Sequence, residues 1–202
     1  MNKLDLLKSI AEKGYDVGFG AKKHFATYDI IEKAPGLISF FSMAFGIFSL
    51  AITGLSTELI AATFIVLGVM GLYINQYDHK KSSYEESGIA LTKLYNELKA
   101  LYLKTKSIDD GSDFSDVQKE LSDIESRYYP VCISKQVLFS NWYAHYKFYW
   151  EHQIGWVNEQ LKFNFFRDKV PLSLWFTIFL IIFGFIFFFS NVAAVICNIP
   201  TV

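Results

Sequence analysis

APGLISFFSMAFGIFSLAITGLST, residues 34–57, has no charged side chain between Lys33 and Glu58, and that decides the class of the fold. A helix needs about 20 mostly apolar residues to cross roughly 30 Å of hydrocarbon. Outward from this stretch, two more runs meet that length: Leu59 to Tyr77, and Leu172 to about Ala194 within a charge-free tail from Val170 to Val202. Three such runs are too many for a 202-residue soluble domain. Only residues 54–58 separate the first two, which predicts a tight transmembrane hairpin, with the third span standing apart. No stretch keeps the alternation of a strand. The expected fold is an all-α membrane protein, with a transmembrane helical hairpin, a third C-terminal span and a cytoplasmic helical bundle.

Basic residues close to the spans stay preferentially on the cytoplasmic side. The arm before the first span carries Lys3, Lys8, Lys13, Lys22, Lys23 and Lys33, and the hairpin turn carries no Lys or Arg. Every other basic residue lies between Lys80 and Lys169. One topology fits: N-terminus and central region inside, hairpin turn and C-terminus outside. The expected divisions are 1–34, N-terminal cytoplasmic helices; 35–77, the hairpin; 78–169, the cytoplasmic helical region; and 170–202, the third span and outer tail. Residues 1–33 lack the apolar core of a cleaved signal. Cys132 and Cys197 fall on opposite sides and are not expected to pair. A net charge of −1 without a basic patch argues against nucleic acid as a partner.

In the N-terminal arm, Leu4, Leu7, Ile10 and Ala11 share a helical face. The glycines from Gly14 to Gly20 predict a break, and a second helix from Ala21 to Lys33 groups His24, Tyr28 and Ile31 before a bend at Pro35. Beyond the second span, Tyr84, Leu91, Leu94, Tyr95, Leu98, Leu101 and Tyr102 keep helical spacing, so that span is expected to run on as one long helix. Residues 108–112 read as a loop. Asp113 is the candidate N-cap of a helix carrying Phe114, Val117, Leu121, Ile124 and Tyr128, which Pro130 ends. A third, aromatic helix is expected from Ser134 to Lys169, buried in the bundle because its rings fall on several faces.

All but one of the polar side chains in the opening stretch lie on one line. Ser39, Ser42, Ser49, Thr53 and Ser56, with Gly46 filling the gap, follow a three-four-three-four-three spacing that keeps one face toward a neighbour. The second span has Ala61, Gly68, Gly71 and Asn75, and the third has Ser173, Thr177, Gly184 and Asn191. Small residues let helices approach closely in lipid. Two readings stay open. The faces meet within one subunit, with the hydroxyls bonded back to their own helices, or several copies turn the first-span line toward water as a weakly selective pore wall.

Catalysis has little to rest on. His145 and His152 lie seven apart beside Glu151, without a complete ligand set or an HExxH arrangement. Neither a phosphate-cradling glycine loop nor a nucleophile elbow occurs. No enzymatic activity, cofactor or metal is expected.

The layout has a counterpart. Ala21-Lys-Lys-His-Phe-Ala-Thr-Tyr28 leads into the hairpin, then a long helix ends Leu94-Tyr-Asn-Glu-Leu-Lys-Ala-Leu-Tyr102. The acidic helix Val117-Gln-Lys-Glu-Leu-Ser-Asp-Ile-Glu-Ser-Arg-Tyr-Tyr-Pro130 closes the unit. Over about residues 10–135 this resembles the SLATT family, the two-transmembrane effector domains that accompany nucleotide-second-messenger synthetases and sensors in bacterial anti-phage systems. The third span and the aromatic segment depart from that two-span pattern. The resemblance implies a homo-oligomeric, pore-forming effector whose opening damages the inner membrane and aborts infection, with a sensor component as partner. It transfers no catalytic residue. The competing function is a non-conducting membrane adaptor whose cytoplasmic helices recruit a partner protein.

Overall fold

The computed structural model describes the backbone of residues 2–52 and 58–197, with side chains to residue 187. Thr53, Ser56 and the side chains of Asn191 and Cys197 lie outside the described residues. Among the described residues all regular structure is helical. The chain forms two compact units, residues 1–162 and 163–202.

Helix α1, Lys3–Ala51, has 49 residues and a length of about 74 Å. Asn2 caps it, its side chain accepting from the Asp5 N–H at 2.8 Å, and Asp5 suits the positive end of the dipole. Leu6, Leu7, Ile10 and Ala11 fill the buried face, whereas Leu4 is exposed, contrary to the face expected from spacing.

The break expected at Gly14 to Gly20 does not occur. These glycines sit where aromatic rings press on the helix backbone. A Cβ on Gly14 would stand 2.3 Å from Trp156 Cη2, and one on Gly18 would stand 2.7 Å from the Tyr95 ring. Close approach, rather than backbone freedom, is the requirement at both positions.

Pro35 also lies inside α1, so the expected division at residue 34 is not a helix boundary. Proline removes the bond to the carbonyl four residues back, and an isolated helix would break there. Here α1 packs against α3 (Lys81–Ser107) before Pro35 and against α2 (Glu58–Asn75) after it, so both arms are held.

The 18 residues of α2 span about 27 Å. Between α2 and α3 only residues 76–80 leave α-geometry, with the Tyr77 N–H on the Ile74 carbonyl at 3.0 Å and the Lys80 N–H on the Tyr77 carbonyl at 2.9 Å. The expected single helix is thus nearly continuous, with one tightened turn that buries Tyr77. All seven apolar residues expected on the α3 face are buried.

The loop after α3 is present, closed by the Ser112 N–H on the Asp109 carbonyl at 3.1 Å. Helix α4 covers Ser115–Tyr128. The N-cap position is Phe114 rather than the expected Asp113, which stands one residue earlier and holds the first turn, Oδ1 accepting the Ser115 N–H at 3.0 Å and Oδ2 the Ser115 hydroxyl at 2.7 Å. Phe114, Val117, Leu121 and Ile124 are buried as their spacing predicts.

The single aromatic helix expected from Ser134 to Lys169 is instead three pieces. In the first unit an extended strap, residues 132–137, leads to α5 (Ser140–Tyr149) and then α6 (Gly155–Leu161). Phe139 has φ 67° and Lys162 φ 49°, left-handed values that no continuous helix contains. Val137, Phe148, Trp156 and Val157 are all buried. Trp150 and Tyr146 are exposed, so only part of the aromatic set is core.

The second unit begins with a π-type turn, Phe165–Lys169, in which Asn164 Oδ1 accepts the Phe166 N–H at 3.0 Å. Helix α7, Leu172–Cys197, follows Pro171, and Trp175 Nε1 donates to the Phe166 carbonyl at 3.2 Å.

Candidate functional site

The hairpin closes along one seam. Ile38, Ser42, Phe45 and Ser49 of α1 are half-buried at four-three-four spacing, and Ile60, Phe64, Leu67 and Gly71 of α2 lead at matching spacing to buried Ile74. The Phe45 and Phe64 rings meet with centroids 4.8 Å apart. A Cβ on Gly71 would stand 3.8 Å from Ile38 Cδ1.

The hydroxyl line therefore divides. Ser42 and Ser49 belong to the seam, while Ser39 and Gly46 are exposed, and a Cβ on Gly46 would meet nothing within 4 Å. Ser39 Oγ donates to the Pro35 carbonyl at 2.9 Å and Ser49 Oγ to the Gly46 carbonyl at 2.8 Å. Such back-bonding satisfies a hydroxyl in hydrocarbon without water. The second-span line divides too, with Gly71 in the seam and Ala61, Gly68 and Asn75 exposed. In the second unit Thr177 Oγ1 donates to the Ser173 carbonyl at 2.9 Å.

His145, Glu151 and His152 do not converge on a site. His145 stands on α5 against Phe19, centroids 4.9 Å apart, whereas His152 lies beyond the end of that helix against Tyr95 at 4.7 Å. Glu151 is exposed. Among the described residues no three His, Cys, Asp or Glu side chains cluster as metal ligands would.

Spacing gave no warning of the junction between hairpin and bundle. Ile31, Ile74, Tyr77, Tyr84 and Val137 form one buried cluster there. Polar bonds tie the strap over it. His24 Nδ1 lies 2.7 Å from the Gly20 carbonyl, which can only accept, so Nδ1 carries the proton and Nε2 accepts the Ile133 N–H at 3.0 Å. The Thr27 hydroxyl donates to Gln136 Oε1. Tyr84 donates to the Lys135 carbonyl at 2.5 Å. The strap resists helix because α1 and α3 satisfy these groups from outside it.

Burial pushes His24 below the ordinary histidine range. Burial, then Lys22 and Lys99, pull His152 down to about 4. Each binds fewer protons when folded than when unfolded, so stability rises with pH through this window. It is fully present above about 6.5, the unfolded value, and is lost as pH falls toward the folded values. The melting temperature in detergent is expected to drop between pH 7.5 and 4.5, and His152→Gln should flatten part of that slope. An unchanged slope would show that His152 titrates alike in both states.

The helices long and apolar enough to cross a membrane are α1 and the helical stretch from Glu58. Their large side chains stand uncovered, Leu50 at 90 % exposure, as lipid contact requires. The family model described as SMODS and SLOG-associating 2TM effector domain 6 matches residues 1–178. The chain belongs to the SLATT family. No curated protein and no solved structure matches it. The family's two transmembrane helices correspond to the hairpin, and its effector role places the chain among components of bacterial anti-phage systems. The match extends past the 10–135 expected from the motifs, so the strap, α5 and α6 are part of the SLATT domain rather than a departure from it.

Proposed function

We propose that this SLATT protein is a membrane-embedded effector of anti-phage defence that oligomerises through its hairpin, opens the inner membrane and aborts infection. The observation that carries the reading is the open face at Ser39 and Gly46. The hairpin seals itself with a different set of residues, so this small, weakly polar face is left for a second copy or for a shared aqueous axis. The bundle lies in the cytoplasm on this reading, where a sensor component reaches it. Helix α7 crosses as a third span and carries the C-terminus outside. The positive charges before Pro35 and between Lys80 and Lys169 favour that orientation.

The test is membrane potential in cells and in proteoliposomes. Ser39→Leu with Gly46→Leu should abolish depolarisation at unchanged membrane content, while Phe41→Leu should leave it intact. Ser42 and Ser49 are poorer targets, because seam changes would disturb the hairpin itself. Depolarisation that survives the double substitution would remove the pore wall from this face. Absence of depolarisation by the unaltered protein would instead favour a non-conducting adaptor, whose exposed Tyr146 and Trp150 offer a partner aromatic surface.

A further inference from the structure

A cavity of about 370 Å³ opens where the hairpin meets the strap. Ile38, Val69 and Met70 line it from the two spans, Ala34 from the α1 turn that contains Pro35, Val137 from the end of the strap and Phe139 from the turn that follows it. The single polar side chain on its wall is Tyr73, whose hydroxyl lies 3.2 Å from that of Tyr77. Such a wall gives a charged or sugar-like ligand nothing to bond. The volume falls within the range of small-molecule sites, about 300–1,000 Å³.

The mouth is apolar as well. Val69 is 61 % exposed, Leu138 58 % and Phe139 44 %, and the left-handed turn at Phe139 leaves these two rim residues out of the core while Val137 goes in. Aqueous exposure of such a rim is unfavourable, and the spans beside it stand in hydrocarbon. A cation stands near the rim. Lys135, three residues before Leu138, is exposed, with Nζ 5.2 Å from the centroid of the Tyr77 ring whose hydroxyl meets that of Tyr73. Apolar volume open to the bilayer with a lysine near its edge is complementary to one molecular class, a phospholipid with a phosphate at the surface and a tail inside.

We propose that this cavity holds one acyl chain of a phospholipid from the leaflet adjoining the bundle. The proposal rests on the two-span membrane reading of the hairpin and is independent of pore formation. Occupancy bears on the strap, because Val137 is both part of its wall and the end of the segment tied to α1 through His24 and Thr27 and to α3 through Tyr84. The lipid would thereby brace the contact between hairpin and bundle.

The full chain in nanodiscs containing an anionic phospholipid with a diazirine in one acyl chain tests this. Photolabelling mapped by mass spectrometry should be several-fold stronger at Met70, Leu138 and Phe139 than at the mid-span residues Phe40 and Ile65. Ala34→Phe and, separately, Met70→Trp fill the cavity and should bring Leu138 and Phe139 down to the mid-span level without lowering the melting temperature. Equal labelling throughout overturns the proposal and leaves the two-span reading standing, while absence of label from Phe40 and Ile65 as well overturns both. A cysteine cross-link joining position 138 to α7 or to a second copy, at the expense of lipid label, also overturns it.

Discussion

Trp156→Ala is expected to destabilise the bundle by about 3–5 kcal/mol, the range for truncating a large buried aromatic. At two to four degrees per kcal/mol for a chain of this size, the melting temperature should fall on the order of 6–20 °C. Trp156 is 7 % exposed and packs against Tyr95 and Tyr102, with centroids 5.3 and 5.2 Å away, and against the bare backbone of Gly14. The partner substitution sharpens the test. Gly14→Ala alone should cost about 1–3 kcal/mol, because its Cβ collides with the indole and α6 must shift. In the Trp156→Ala background the collision is absent, and the same change should stabilise by up to about 1 kcal/mol through helix propensity. A double-mutant cycle measured by thermal melting reads that reversal of sign. Additive effects would mean that Gly14 is not the seat of the ring.

Tyr84→Ala should cost a similar amount, about 3–5 kcal/mol, by emptying the junction cluster. Its consequences fall elsewhere. Tyr84 is wholly buried between the hairpin end and the strap, and burial raises its hydroxyl above the ordinary phenol range, so it remains a donor to the Lys135 carbonyl. Tyr84→Phe removes that bond alone, for about 0.5–1.5 kcal/mol. Hydrogen exchange should then quicken across residues 132–139, including the Ile133 amide held by His24, with little change in α6. Trp156→Ala should give the converse, fast exchange in α6 and a protected strap. If both substitutions loosen both regions equally, the junction and the bundle core unfold as one cooperative unit.

The two substitutions fall on opposite sides of what the sequence displays. The α3 and α4 helices are legible because Leu91, Leu94, Leu98 and Leu101, and then Val117, Leu121 and Ile124, recur at three or four residues, and that period alone places them in a core. The hairpin is legible because transfer into lipid depends on composition, not on partners. The glycines of α1 and Pro35 mislead, since local preference opposes a helix there by about 1–3 kcal/mol per residue and only packing on both sides outweighs it. The spacing of Gly14, Gly18 and Ala21 on one face does carry a signal, that of a small-residue seat for neighbouring rings. The aromatic segment misleads in the opposite sense, because helical spacing persists where Phe139 and Lys162 turn left-handed. The family was legible from motif layout, although its full extent to residue 178 was not.

By itself the sequence determined what depends on single-residue chemistry: an all-helical chain, two apolar helices fit to cross a bilayer, and a line of small residues along the first. The tertiary structure decided how that line is shared. Ser42 and Ser49 close the hairpin, while Ser39 and Gly46 remain open, because a helix turns only about 100° per residue and neighbouring stripes overlap. It also decided that one unbroken α1 joins hairpin to bundle and that an apolar cavity lies at their junction. Both arise from contacts between residues as far apart as Ala34, Met70 and Phe139, which local periodicity does not encode.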